Sequence, residues 1–204
     1  MKKILIIICS IFLSCNTSAY EFHNQKDYII KHKSIHNVPK VMDFFSFFCP
    51  YCYEFKKIHN TKSLIKNINV QTYHVNFFGG ELSHILTKSW IIAEQIGIEE
   101  KIVLPIFKAI QETHTINNID SIKKIFKKDG GVSEKKFNNF WNSLTLKILV
   151  QKKNKDVEKS NLDHVPTMLI HGKYIIDYAK IENAFKENFS QKYIELIQFL
   201  IKKK

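Results

Sequence analysis

Two kinds of hydrophobic spacing alternate along the chain. Val41 to Phe45 (VMDFF) is a short apolar run of buried-strand character, and Val70 to Phe77 (VQTYHVNF) alternates at period two through Val70, Thr72, His74 and Asn76. Between them Pro50, a residue suited to the first position of a helix, precedes Tyr53, Phe55, Ile58, Leu64 and Ile65 at helical spacing. Strand, helix and strand in close succession predict a βαβ unit, which Gly79-Gly80 ends.

From Glu81 the period becomes helical: Leu82–Ile96, Ile102–Ile110, Ile119–Phe126 and Phe137–Val150 each carry an apolar stripe, with breaks at Gly97 and Gly130-Gly131. A block this long is not an ordinary crossover, so residues 81–157 read as an inserted helical domain. Strand character returns at Thr167–Ile170 (TMLI) and Lys173–Ile176 (KYII) around a His171-Gly172 turn, a hairpin followed by an amphipathic helix from Ile181 to Leu200. A β-α-β half and a β-β-α half parted by helices predict an α/β, thioredoxin-like fold with an inserted all-helical domain. Its discontinuous main domain comprises residues 20–80 and 158–204. There is no repeat at solenoid periods.

The N-terminus changes this picture by moving the protein out of the cytosol. Lys2 and Lys3, the apolar run Ile4–Leu13 broken only by Cys9 and Ser10, and Thr17-Ser18-Ala19 predict a secretory signal peptide over residues 1–19, cleaved after Ala19. The run is far shorter than the roughly 20 residues that a membrane span requires. A lipoprotein signal at Cys15 is the competitor; Ser14 suits it, but Phe12 and Leu13 do not. No later segment is apolar enough to span, so a soluble exported protein is expected, in the periplasm. Cleavage discards Cys9 and Cys15 and leaves Cys49 and Cys52 in an oxidising compartment.

The net charge of +12 changes less. All 31 basic residues are lysine and none is arginine, as a low-GC coding bias would produce. Without bidentate guanidinium forks the chain lacks the usual reader of phosphate and guanine. The charge reads as solvated lysine-rich faces, with no nucleic-acid partner expected.

The chemistry concentrates in FFSFFCPYCYEF, Phe44 to Phe55. Cys49 and Cys52 are spaced to share one helix face, and Cys49 falls just before Pro50, where free backbone N–H groups and the positive end of the helix favour an anion. A thiolate at Cys49 should be stabilised, while Cys52, one turn inside, keeps a higher pKa. A low-pKa thiol leaves faster in exchange, so this asymmetry suits a disulfide that is given away. A structural disulfide is the plainer alternative, but so short a loop removes little chain entropy. Zinc would need about four ligands. The mature chain has no second cysteine pair, and its nine histidines are scattered, so no metal is expected.

These residues resemble the DsbA family of periplasmic thiol:disulfide oxidases. The resemblance runs through Phe44–Tyr53 (FFSFFCPYCY), Tyr73–Gly80 (YHVNFFGG), Leu86-Thr87 with Trp90, Trp141-Asn142-Ser143, Val165-Pro166 and Gly172-Lys173-Tyr174, nearly the whole mature chain. It implies that Cys49 is the exposed nucleophile and Cys52 its buried partner. It also implies that a cis bond precedes Pro166, in a loop facing the disulfide, and that the Val165 backbone pairs with substrate peptide. Strong oxidising power is a family property too, DsbA being a standard instance of a low-pKa active-site thiol. The pair itself would carry the electrons, with no separate cofactor.

Two positions depart from the family. Its Pro-His dipeptide is here Pro50-Tyr51, and a phenol cannot supply an imidazolium's charge beside Cys49. Asp43 stands where the family has a buried Glu, with Lys56 and Thr72 as altered company. Asp43 reads either as an aid to proton transfer at Cys52 or as an acid that is simply paired. The function expected is an exported, monomeric oxidase. It would donate the Cys49–Cys52 disulfide to exported proteins with free cysteines and be recycled by a membrane, quinone-linked reoxidase of the DsbB type. Two alternatives stay open: a reductase or isomerase, and a peptide-binding chaperone module with an incidental disulfide.

Overall fold

In the computed structural model, which describes residues 20–58 and 68–203, a five-stranded sheet forms the centre. Its middle is β2 (Val41–Phe45), all of whose residues are buried. Successive side chains of a strand point to opposite faces. Met42 and Phe44 join one apolar cluster, while Val41 and Phe45 join the clusters of the other face, to which Asp43 also belongs by alternation. β2 pairs in parallel with β3 (Val70–His74) and antiparallel with β4 (Thr167–Ile170), so that Asp43 lies opposite both Thr72 and Met168. β4 continues into β5 (Tyr174–Asp177), and a two-residue β1 (Ile29–Ile30) pairs with β5, giving the order β1-β5-β4-β2-β3.

α1 (Pro50–Ile58) follows β2. Between β3 and β4 come α2 (Gly80–Ile96), α3 (Glu99–Gln111), α4 (Ile119–Lys128), α5 (Glu134–Trp141) and α6 (Leu144–Ser160). After β5 come α7 (Tyr178–Phe185) and α8 (Phe189–Lys202).

One cluster joins Phe45, Phe47 and Cys52 to Trp90, Ile102, Phe107, Phe126 and Phe137, so the helical block and the active-site segment share a core. Tyr53 of α1 stacks on Phe107 at 5.2 Å and 10°, and Phe45 and Phe47 meet the same ring. Phe107→Ala should therefore cost about 3–5 kcal/mol.

Three expectations are corrected and one strand is added. β3 ends at His74 rather than Phe77; the chain leaves the sheet there, and Phe77 and Phe78 are exposed. Phe137–Val150 is two helices, because the Ser143 hydroxyl donates to the Phe140 carbonyl at 2.7 Å and accepts the Leu146 N–H at 3.1 Å, stopping α5 and capping α6. The last helix starts earlier, where Asp177 accepts from Ala179 N–H. It is then interrupted by the 3-10 turn Lys186–Asn188, with Lys186 at φ 37°. β1 had no period long enough to register; Ile29 and Ile30 are held by pairing with β5, extended by Lys31 N–H to Lys173 O at 2.8 Å. The expected signal peptide, Cys15, Leu64 and Ile65 lie outside the described residues.

Candidate active site

The turn between β2 and α1 is built by Ser46. Its hydroxyl accepts from Phe48 N–H at 3.2 Å and its carbonyl accepts from Cys49 N–H at 3.1 Å. The chain thereby reaches Pro50 with Cys49 as the last residue before the helix, and Tyr53 N–H donates back to Cys49 O at 3.2 Å. Phe48 lies against Gly79, where a Cβ would sit 2.2 Å from its ring; with φ at +81°, that position needs glycine for both reasons. Gln111, at the end of α3, donates through Nε2 to Phe47 O at 2.8 Å and to Cys49 O at 3.0 Å, pinning the active-site backbone to the helical block.

Both cysteines are free thiols. The Cys49 sulfur accepts the Cys52 backbone N–H at 3.2 Å, and its S–H is directed at the Val165 carbonyl at 3.3 Å. Val165–Pro166 is a cis peptide, and the Val165 contact places this loop, just before β4, against the thiol. The expectation of an exposed Cys49 is corrected: at 8% exposure it is buried, its sulfur held against the Val165 carbonyl, and it is only more exposed than Cys52 at 1%.

The electrostatics separate the two. The Cys49 pKa falls below the ordinary thiol value, chiefly through a hydrogen bond from the Cys52 thiol; burial opposes this, and the backbone N–H groups of Cys52 and Tyr51 add to it. The helix N-terminus thus contributes, but behind the partner thiol. Burial drives the Cys52 thiol far above its usual range, and the charges of Cys49 and Asp43 push it the same way.

Of the remaining residues singled out above, Pro50 begins α1 and Tyr51 is 67% exposed beside Cys49. Phe77 and Phe78, next to Gly79, form an exposed aromatic pair at 4.6 Å. Asp43 does not reach this surface. It is 2% exposed, accepts the Tyr178 hydroxyl at 2.8 Å and faces the Lys56 ammonium at 3.7 Å. Asp43, Lys56, Thr72, Trp90, Glu100 and Val103 line a cavity of about 20 Å³. Thr72 donates in turn to Glu94 at 2.7 Å, and Lys153 bridges Glu94 and the Thr72 carbonyl.

Gln111 and Tyr178 were not legible in advance. Each acts across a long stretch of chain, and neither belongs to a motif with local spacing. Among the described residues no three His, Cys, Asp or Glu side chains cluster to hold a metal ion, and no helix is long and apolar enough to cross a membrane. A larger polar cavity of about 710 Å³, between β3, α2 and α6, lies away from the cysteines.

A model of the DSBA-like thioredoxin domain family matches residues 40–189. The chain is 63% identical, over all of its length and 99% of the relative's, to the thiol:disulfide interchange protein DsbA of Buchnera aphidicola from Acyrthosiphon pisum. It is 32% identical, over the full length of both, to DsbA of Escherichia coli. Among solved structures it is similar to a Cys→Ser variant of Proteus mirabilis DsbA in complex with the non-covalently bound peptide PWATCDS. That similarity has a TM-score of 0.81 and 30% identity, covering 90% of this chain and 100% of the other.

Proposed function

The chain belongs to the DsbA-like thioredoxin family and is a thiol:disulfide oxidoreductase; from that premise we propose that it works as an oxidase, through Cys49 and Cys52. The observation that carries this is the opposed tuning of the two thiols, Cys49 toward thiolate and Cys52 away from it. In the oxidised protein a substrate thiolate attacks the Cys49 sulfur. The Cys49–Cys52 bond breaks, a mixed disulfide forms, and Cys52 leaves and takes up a proton. A second substrate thiolate then attacks the substrate sulfur of that mixed disulfide and expels Cys49, a good leaving group because its thiolate is stabilised. Two electrons pass from the substrate to the pair, which needs no further cofactor.

The substrates in this reading are exported proteins with free cysteines, bound as extended segments. Their backbone pairs with Val165 beside Pro166, and their apolar side chains rest on Tyr51, Phe77 and Phe78. The peptide held by the Proteus mirabilis protein supports such binding. Residues 1–19 act as a cleaved signal, the mature chain works as a periplasmic monomer, and a membrane, quinone-linked protein of the DsbB type takes the electrons away. Residues 20–80 and 158–204 form the thioredoxin-like domain and 81–157 the insertion. Pro50 and Tyr51 modulate the thiolate, and Asp43 exchanges a proton with Cys52.

The test is stoichiometric. Oxidised protein is mixed with a reduced, unfolded secretory protein, and disulfides gained by the substrate are counted by mass against thiols gained by the pair. Equal transfer, abolished by Cys49→Ser, is expected. Substrate binding and refolding that survive Cys49→Ser would favour the chaperone alternative. An equilibrium with glutathione as reducing as thioredoxin's would favour the reductase.

A further inference from the structure

Cys52 must lose a proton and regain it in every redox cycle, yet it is 1% exposed. Asp43 lies buried in β2 on the same face as Phe45, which shares a cluster with Cys52, and its charge acts on the Cys52 thiol. We propose that Tyr178 is a positioning residue for the exchange reaction: its hydroxyl, with Lys56 at the other carboxylate oxygen, holds Asp43 in the one orientation from which it trades a proton with Cys52. This rests on the oxidoreductase reading and deepens it.

The two oxygens of Asp43 are held differently. Oδ1 accepts the Tyr178 hydroxyl at 2.8 Å, a charge-assisted bond between two buried groups. Oδ2 faces Lys56 at 3.7 Å, beyond hydrogen-bond length, and so keeps a lone pair for a proton. Tyr178 is fixed from several sides. Asp177 caps α7 and turns the first residue of that helix inward, where its ring meets Phe55 of α1 at 4.2 Å and Tyr193 of α8 at 5.0 Å.

Burial first, and then the Asp43 charge, raise the Tyr178 hydroxyl well above an ordinary phenol. It therefore stays a donor at every working pH and never competes for the proton. The other polar and titratable groups around Asp43 are Lys56 and Cys52 on α1, Thr72 on β3, Glu100 on α3 and Tyr193 on α8. Thr72 is committed as a donor to Glu94, and Glu100 repels a second negative charge. Among these Tyr178 is the neutral donor bonded directly to the carboxylate.

The step that reads this is reoxidation. The Cys49 thiolate attacks a disulfide, giving a mixed disulfide and one free thiolate. Cys52–SH then passes its proton to Asp43, and the Cys52 sulfur attacks Cys49. The internal disulfide forms as the second thiolate departs. Reduced protein is mixed with oxidised glutathione across a range of pH and quenched in acid, and mass spectrometry separates the Cys49–glutathione species from the internal disulfide. Tyr178→Phe should leave the first step unchanged. It should slow the second about tenfold, the effect of one lost hydrogen bond to a charged group.

In an Asp43→Asn background the second step should already be slow, and adding Tyr178→Phe should change nothing more. Lys56→Gln, on the partly exposed face of α1, should slow the same step with the first step unchanged and provides the test if Tyr178→Phe fails to fold. A folded Tyr178→Phe protein with the wild-type rate of the second step overturns the proposal, as does an equal slowing in the Asn background. If the wild-type chain forms no internal disulfide at all, it is the oxidoreductase reading that fails.

Discussion

Replacing His74 with leucine should flatten the acid side of the stability curve. His74 closes β3 beneath the active-site turn, stacked on Phe47 at 5.0 Å and edge-on to Phe45 at 5.4 Å. Its Nδ1 lies 2.8 Å from the Thr87 hydroxyl, which itself donates to the Ser83 carbonyl at 3.0 Å. Thr87 must therefore accept from Nδ1–H, which leaves Nε2 as the bare nitrogen, buried and with no partner among the described residues. A proton on Nε2 would have nowhere to donate, and burial lowers the His74 pKa from 6.5 to about 3. The unfolded chain protonates through about pH 6.5 and the folded one does not, so the contribution is complete above that value and is lost as pH falls toward 3. At about 1.4 kcal/mol per unit, roughly 2 kcal/mol has gone by pH 5 and about 5 kcal/mol by pH 3. Against a total of about 5–15 kcal/mol this is a large share. Urea unfolding of the oxidised protein, followed by tryptophan fluorescence at a series of pH values, measures it. His74→Leu should lose about 2 kcal/mol less than wild type between pH 8 and pH 5. Parallel curves would refute the reasoning.

Iodoacetamide at about pH 5, well below the usual thiol range, should label Cys49 and spare Cys52 in the reduced protein. A peptide map showing Cys52 labelled first would reverse their roles. Tyr51→His places an imidazole beside Cys49 and should lower its pKa and raise the reduction potential, at about 20 mV per kcal/mol of added thiolate stabilisation. Titration against glutathione reads this, and no change would deny Tyr51 any part in tuning. Gln111→Ala strands the Phe47 carbonyl and leaves the Cys49 carbonyl to the Tyr53 N–H alone, and should cost about 1–2 kcal/mol in urea unfolding; a loss within a few tenths would mean that other donors replace it.

The order of strands and helices was legible because its signals are local. VMDFF, TMLI and the stripes of α2, α3 and α4 each carry their own period, and the turn glycines punctuate them. What escaped were features in which a side chain or the backbone overrides the period. The Ser143 side chain splits an apolar stripe that continues across it, and the backbone of Lys186, at φ 37°, breaks the run between α7 and α8. In the site, Cys49, Cys52 and the Val165–Pro166 loop stood out by motif. Gln111 and Tyr178 stood out by nothing local, because each reaches its partner only after the helical block or the hairpin has folded.

That difference bears on why the pair is directional. On an isolated helix the two cysteines would see the same solvent and differ only by the field of the helix N-terminus, which favours a thiolate at Cys49 over one a turn further in. The rest of what separates them here comes from elsewhere in the chain. The Val165 loop lies over Cys49, while the apolar cluster of α2 and α3 buries Cys52 and Asp43 adds its charge. Burial raises the energy of a thiolate at Cys52 in a medium where charge is poorly screened, and the same Cys52 thiol donates the hydrogen bond that lowers the Cys49 pKa most. The two shifts are therefore one effect: a change that lets water reach Cys52 should weaken the Cys49 thiolate as well. The helical block thus does more than cover the site. In the proposed oxidase mechanism, keeping one sulfur dry is what makes the other a leaving group and sets the direction in which the disulfide is passed.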